Sequence, residues 1–231
     1  MYEQMQLLPL FQGVSKEQLT SIVEKVPLRF ERYRAGDIIF EGGSVIDGVC
    51  FVVSGEVRES MPMVGGRIAI VQDFAAPHTM PINNLFGPEL TISATLEAID
   101  SVGIMVLNKA DFLAVASQNK IILVNALNIL SVSAQKHARA LDFIAERDPL
   151  MRMAKWMYLA TSRPAKRIYF DASITDWCQL LQINQDVFWQ VVSRLEEGRC
   201  VEIISGRLHL VNRYALRHYI AERQGSDIGG R

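Results

Sequence analysis

The amino-acid sequence predicts an α+β chain in which an antiparallel β-roll or jelly roll comes first, a long helix follows, and a smaller helical domain with a β-hairpin completes the chain. Three observations carry that prediction. Between Leu28 and Leu107 short β-rich runs alternate with glycine turns; from Lys120 an apolar heptad series runs for about three heptads; beyond Asp148 two capped helices precede a Ser-Gly hairpin. Many short strands joined by glycine turns make a closed or rolled sheet, whereas a 3.5-residue repeat keeps one seam of a helix facing a partner.

Composition fixes the class. The 231 residues suffice for two domains, and 49% apolar residues with a net charge of −1 mark a packed protein rather than a disordered one. The apolar stretch Ile121 to Val124 is interrupted by Asn125 and Asn128, far short of the roughly 18 residues a bilayer span needs. No membrane partner is expected. Met1 to Gln6 lacks the basic patch and apolar core of a signal peptide, so the expected location is the cytoplasm. Cys50, Cys178 and Cys200 are widely spaced and odd in number, which fits free thiols in a reducing compartment. Charge is uneven: residues 1–146 hold 11 basic and 16 acidic side chains, residues 147–231 hold 13 and 9. Such asymmetry points to a polyanion facing the second part.

Element by element, Ser15 with Gln18 makes a capping box and Val14 with Leu19 a hydrophobic staple, so a helix starts there and stops at Pro27. Strands are expected over 37–40, 49–53, 67–74 and 101–107, and a short helix over 109–117. The long helix, 120–147, carries Leu123, Leu127, Leu130, Ala134, His137, Leu141 and Ile144 in alternating four and three spacing. Those residues form the expected dimer interface of a parallel homodimer, with His137 as a polar residue fixing register; the alternative is a helix packed on its own roll. Asp148-Pro149 is an N-cap followed by proline at the first helical position, and hence a candidate hinge before a helix with Leu150, Met153, Ala154 and Met157 as its buried stripe.

A strand over 167–170, helices over 173–181 and 184–197, and a hairpin over 200–211 make a winged helix-turn-helix. Its second helix has Val187, Val191, Val192 and Leu195 inward. That leaves Gln185, Asp186, Trp189, Gln190, Ser193 and Arg194 outward as candidate DNA contacts, because glutamine pairs bidentately with adenine and a carboxylate accepts from cytosine. Lys166, Arg167, Arg199, Arg207 and Arg213 are candidate phosphate contacts.

The run Arg34-Ala-Gly-Asp-Ile-Ile-Phe-Glu-Gly-Gly, then Phe51-Val-Val-Ser-Gly-Glu-Val, and in the last domain Val192-Ser-Arg-Leu-Glu-Glu-Gly resemble the CRP/FNR transcription regulators over nearly the whole length. The resemblance implies a cyclic-nucleotide-binding-like sensor roll over 1–119, a dimerisation helix over 120–147 and a DNA-binding domain over 148–231. It also implies RNA polymerase as a partner. Gly36, Gly42 and Gly55 stand at the family's turn positions and are expected at positive φ.

Two departures qualify it. The phosphate cassette of nucleotide-binding relatives corresponds to Phe86, Gly87, Pro88, Glu89, Leu90, Thr91, Ile92, Ser93 and Ala94, where Pro88 interrupts the motif and Ile92 stands in place of the phosphate-holding arginine. An apolar residue cannot neutralise a phosphate, so cyclic AMP and cyclic GMP are not the expected effectors. The effector pocket is assigned to Phe86, Gly87, Glu89, Leu90, Ile92 and Ser93, with the cofactor left open; haem would rest on His78 or His137 as axial ligand. The reading triad of the recognition helix becomes Gln185-Asp186 and Gln190, and Gln182 replaces the turn glycine, so the operator should differ from the common one. Catalysis is not expected: one histidine lies in the roll, and neither a P-loop nor a nucleophile elbow is present. The alternative function is a dimeric signalling module, sensing haem or another small molecule, that binds a protein in place of DNA.

Overall fold

The computed structural model describes residues 2–80, 82–161 and 165–228, with the side chains of residues 2, 139–144 and 223–228 left out of the description. Eight α-helices and eleven strands follow one another among those residues. They are α1 (Tyr2–Leu7), α2 (Lys16–Lys25), β1 (Arg29–Tyr33), β2 (Ile38–Phe40), β3 (Gly48–Ser54), β4 (Glu56–Met63), β5 (Ile68–Ala75), β6 (His78–Thr79), β7 (Thr95–Ala98) and β8 (Val102–Asn108). Then come α3 (Lys109–Gln118), α4 (Lys120–Ala145), α5 (Pro149–Ala160), β9 (Arg167–Asp171), α6 (Ile174–Leu181), α7 (Gln185–Glu197), β10 (Val201–Ile204), β11 (Arg207–Leu210) and α8 (Arg213–Ile228).

These elements gather into two compact units. One comprises residues 1–59 and 73–135; the other comprises residues 60–72 and 136–231. The division falls within α4 and within the β4–β5 hairpin, so the second unit is discontinuous in sequence.

In the first unit an antiparallel sheet runs in the order β1-β8-β3-β6, with Phe51 opposite Met105 and Val52 opposite Ile104. Its inner side chains meet Leu8, Leu10, Phe11 and Leu19 from the N-terminal helices and Phe112 from α3 in one apolar core. The capping box forms as expected: Gln18 N–H donates to Ser15 Oγ, and the Gln18 side chain accepts from Ser15 N–H. Gly55 sits at φ +82 with Ser101 O only 2.5 Å from where a Cβ would lie, so glycine is required there. Gly42 corrects an expectation. Its φ is ordinary, and what demands glycine is close approach, since a Cβ would stand 2.9 Å from Ser93 O.

The inner face of α4 belongs to this core through Ile122 and Ala126, and Asn125 Nδ2 donates to Leu10 O at 3.1 Å and Gln12 O at 2.9 Å. No single helix among the described residues is long and apolar enough to cross a membrane. The pair α3 and α4 meets the length and composition test together but bends by 118° between its members.

The second unit is built around aromatic rings. Trp156 of α5 lies 5.3 Å from Trp177 of α6 and 5.5 Å from Phe170 of β9, and Trp177 lies 6.4 Å from Phe188 of α7. A seven-stranded sheet runs in the order β10-β11-β9-β5-β4-β7-β2, and the second unit takes from it β10, β11, β9 and the parts of β5 and β4 that lie within Ser60–Gln72. Asp148 caps α5 as expected, its carboxylate accepting from Leu150 N–H at 3.0 Å. The break is not slack. Arg152 Nε donates to Glu146 O at 2.9 Å, Arg152 Nη1 donates to Leu181 O at 2.6 Å, and Lys155 binds the Glu146 carboxylate. The expected hinge thus lies inside one unit, with Arg152 and Lys155 bonded across it.

Candidate functional site

Helix α7 begins at Asn184, whose side chain accepts from Val187 N–H at 2.9 Å, and ends at Gly198. Phe188, Val191, Val192 and Leu195 are buried; Val187, expected inward, is half-buried, and Phe188 takes a core place that spacing alone did not assign to it. Gln185, Asp186, Trp189, Gln190, Ser193 and Arg194 are all exposed, so one face of the helix carries every side chain assigned to DNA contact on it. Trp189 is 45% exposed and meets Phe188 edge to face at 5.3 Å. The turn from α6 to α7 passes through Gln182 at φ +52, ψ +49, the left-handed region that glycine occupies without penalty.

Beside it, β9 and β11 pair with Leu208 opposite Phe170 and His209 opposite Tyr169. The hairpin closes through Ser205 and Gly206, both at positive φ as a two-residue primed turn requires. Tyr169 stacks on His209 at 5.2 Å, and the Arg207 guanidinium lies 5.4 Å over the Tyr169 ring while its Nε meets Asp171 at 3.3 Å. Burial, then the positive charges of Arg167 and Arg207, hold the His209 pKa below its ordinary value. Arg167, Arg207, His209 and Tyr169 thus form a basic, aromatic patch, in which the last two were not singled out from sequence. Lys166 and Arg199 are exposed nearby in sequence.

Arg213 is spent differently. Its Nη2 donates to Tyr158 O at 2.8 Å and Thr161 O at 3.3 Å, and the guanidinium lies 4.0 Å over the Tyr158 ring. It caps the C-terminal end of α5, so its assignment as a phosphate contact is corrected.

On α4, Leu123 is 41% and Leu127 53% exposed, Ala134 and His137 are exposed, and Leu130 is half-buried. Leu123, Leu127, Ala134 and His137 thus lie outside the buried stripe of Ile122 and Ala126, whereas Leu130 packs against that same core. Leu141 and Ile144 lie outside the described side chains.

In the first unit, Phe86 is half-buried at 6.1 Å from Phe112, with Lys109 Nζ 4.9 Å above its ring. Gly87 takes φ +104, and Glu89 and Ser93 are exposed. Leu90 and Ile92 are half-buried and tied down by backbone bonds: Ile92 N–H donates to Ser44 O at 3.0 Å, and Gly43 N–H donates to Ile92 O at 2.7 Å. Residues 86–94 hold one ionisable side chain, the Glu89 carboxylate, and the Ile92 amide already has an acceptor. The segment does not fit the anionic phosphate of a cyclic nucleotide, for which a cation and free N–H groups are needed.

His78 is not an exposed loop residue. It sits in β6 opposite Val52, stacked on Phe74 at 4.2 Å, and burial pushes its pKa down to about 4. Among the described residues, no three His, Cys, Asp or Glu side chains gather to hold a metal ion. Burial raises the Cys50 thiol to about 12 and the Cys200 thiol to about 11, so both are inert near neutrality.

Residues 30–119 match the cyclic nucleotide-binding domain family. The chain superposes on the catabolite activator protein of Thermus thermophilus with a TM-score of 0.53 at 18% identity, covering 93% of this chain and 99% of that one. DNR from Pseudomonas aeruginosa aligns with a TM-score of 0.43 at 15% identity, over 94% of this chain and 96% of that one. The N-terminal domain of a Streptomyces coelicolor A3(2) transcriptional regulator aligns with a TM-score of 0.48 at 19% identity, over 60% of this chain and 94% of that one. No curated protein matches. Residues 30–119 thus match a cyclic nucleotide-binding domain, and the chain shares the fold of a catabolite activator protein.

Proposed function

We propose that the protein is a homodimeric, sequence-specific DNA-binding transcription regulator of the CRP/FNR type. A roll over 1–119 responds to an effector other than cyclic AMP or cyclic GMP, 120–147 dimerises, and 148–231 is a winged helix-turn-helix. The observation that carries this reading is α7, which buries one face among aromatic rings and presents the other as glutamine, aspartate, serine and arginine. Base edges are read by such side chains, and the patch of Arg167 and Arg207 suits the flanking phosphates. The exposed leucines of α4 suit a second copy of the chain, which places two recognition helices on one duplex. By resemblance the protein acts in the cytoplasm with RNA polymerase, as a binding protein and not as a catalyst.

Selection of bound duplexes from a random DNA pool at two salt concentrations tests it. A palindrome with half-sites about one helical turn apart is expected, with affinity falling steeply as salt rises. The second reading, a module that binds a protein, is favoured by Trp189 at 45% exposure and by Ile203 and Ile204 at 41% and 44%. Absence of DNA affinity with a steep salt slope would select it.

A further inference from the structure

We propose that Trp189 reads the 5-methyl group of a pyrimidine in the major groove, so that α7 selects its operator by an apolar contact as well as by hydrogen bonds. This rests on the reading that α7 enters the major groove of a duplex, and it adds a determinant that glutamine pairing cannot supply.

Tryptophan on a surface holds a large apolar ring system against water, and Trp189 is 45% exposed. Nor does it stand at the margin of the recognition face. Residues four apart lie one above the other along a helix, so Gln185, Trp189 and Ser193 form one row and Asp186, Gln190 and Arg194 the next, all six exposed. The indole therefore stands between two polar side chains of its own row and beside the other row.

The ring is also propped. Phe188 is 3% exposed, lies 6.4 Å from Trp177 in the aromatic core, and meets Trp189 edge to face at 5.3 Å with 69° between the planes. A ring braced on the core from one side, with only two side-chain torsions, has little freedom left to lose when a partner arrives.

What such a ring can recognise follows from the groove. Base edges there present donors and acceptors, and the one apolar group among them is the C5 methyl of thymine; 5-methylcytosine carries the same methyl at the same ring position. Indole offers a single N–H and no acceptor, so it cannot match a base pair bidentately, but its apolar surface can keep water off a methyl group. Four residues of helix rise about 6 Å against about 3.4 Å per base pair, which puts that methyl within two base steps of the base met by Gln185.

The full-length chain and duplexes recovered from random pools, prepared with cytosine or with 5-methylcytosine, provide the test. Thymines of the recovered operator are replaced one at a time by deoxyuridine, which lacks only the methyl. One thymine per half-site, within two steps of the position that Gln185→Ala relaxes, should bind about fourfold more weakly as deoxyuridine, the effect of one buried methyl. Trp189→Ala should bind both forms equally while keeping the salt slope, and Trp189→Gln serves in its place if the alanine variant fails to fold. Where the methyl belongs to 5-methylcytosine, the same fourfold preference separates it from cytosine and vanishes in the Trp189 variant. Indifference of the native chain to both methyls, or a preference that persists in the variant, overturns the contact. Pools that yield no preferred sequence sink the proposed function and this contact with it; a recovered operator insensitive to methyls sinks the contact alone.

Discussion

Helices α4 and α7 each bury one face and leave the other bare, but the bare faces differ in kind. On α4 the outward side chains are Leu123, Val124, Leu127 and Val132, at 41%, 51%, 53% and 65% exposure, so water meets aliphatic surface. On α7 they are Gln185, Asp186, Gln190, Ser193 and Arg194, with Trp189 alone as a large apolar group. Apolar surface left bare at heptad spacing calls for another apolar surface, whereas fixed donors and acceptors on a short helix call for a partner with its own donors and acceptors. The contrast separates the proposed self-association surface from the proposed recognition surface.

The largest effect should come from spoiling the α4 face. Leu123→Asp with Leu127→Asp should weaken self-association at least about 1,000-fold, because burying uncompensated carboxylates costs several kcal/mol; sedimentation over a concentration series reads it, and an unshifted dimer refutes the α4 surface. Next in size is a pH effect confined to the roll. The His78 pKa lies near 4 against an ordinary 6.5, so the unfolded chain takes up the proton first. The contribution is full above about pH 6.5 and shrinks as pH falls toward 4, by up to about 3 kcal/mol. Denaturant midpoints across that window should fall for the native chain and stay flatter for His78→Gln.

Gln185→Ala and Gln190→Ala should each remove about 1–3 kcal/mol of base discrimination at one position of the selected operator. Arg207→Ala should weaken binding to all sequences alike and lower the salt slope by about 1. Equal loss on every sequence for the glutamine variants would erase the distinction between reading and positioning. The smallest effect is at the turn between α6 and α7: Gln182→Gly relieves a left-handed residue and should stabilise the second unit by about 1 kcal/mol in chemical denaturation.

What the sequence revealed was local. The Ser15 box, the Asn184 cap and the Ser205-Gly206 turn are each decided within four residues, and the α4 heptad within one helix. Strand β1 escaped notice because Arg29, Glu31 and Arg32 break any apolar run, although it pairs along its whole length with β8. The consumption of Arg213 by Tyr158 and Thr161 depends on residues more than 50 positions away, which no spacing rule reaches. Phe188 was missed for a related reason: the inward arc of α7 is set by where Trp177 lies, not by the valines flanking it. The departures at Pro88 and Ile92 were legible as chemistry, but the backbone bonds that close 90–92 onto 43–46 were not.

The discontinuity of the second unit bears on how such chains can be recombined. A crossover anywhere between α4 and α5 would bring in a new C-terminal piece without Ile68 and Ile70, the two isoleucines that complete its hydrophobic centre, because those travel with the N-terminal gene segment. Exchange of the C-terminal half between relatives is therefore not a matter of joining ends. The donor's hairpin tip must be grafted along with it, and the two segments, separated by more than 60 residues in the chain, have to change together.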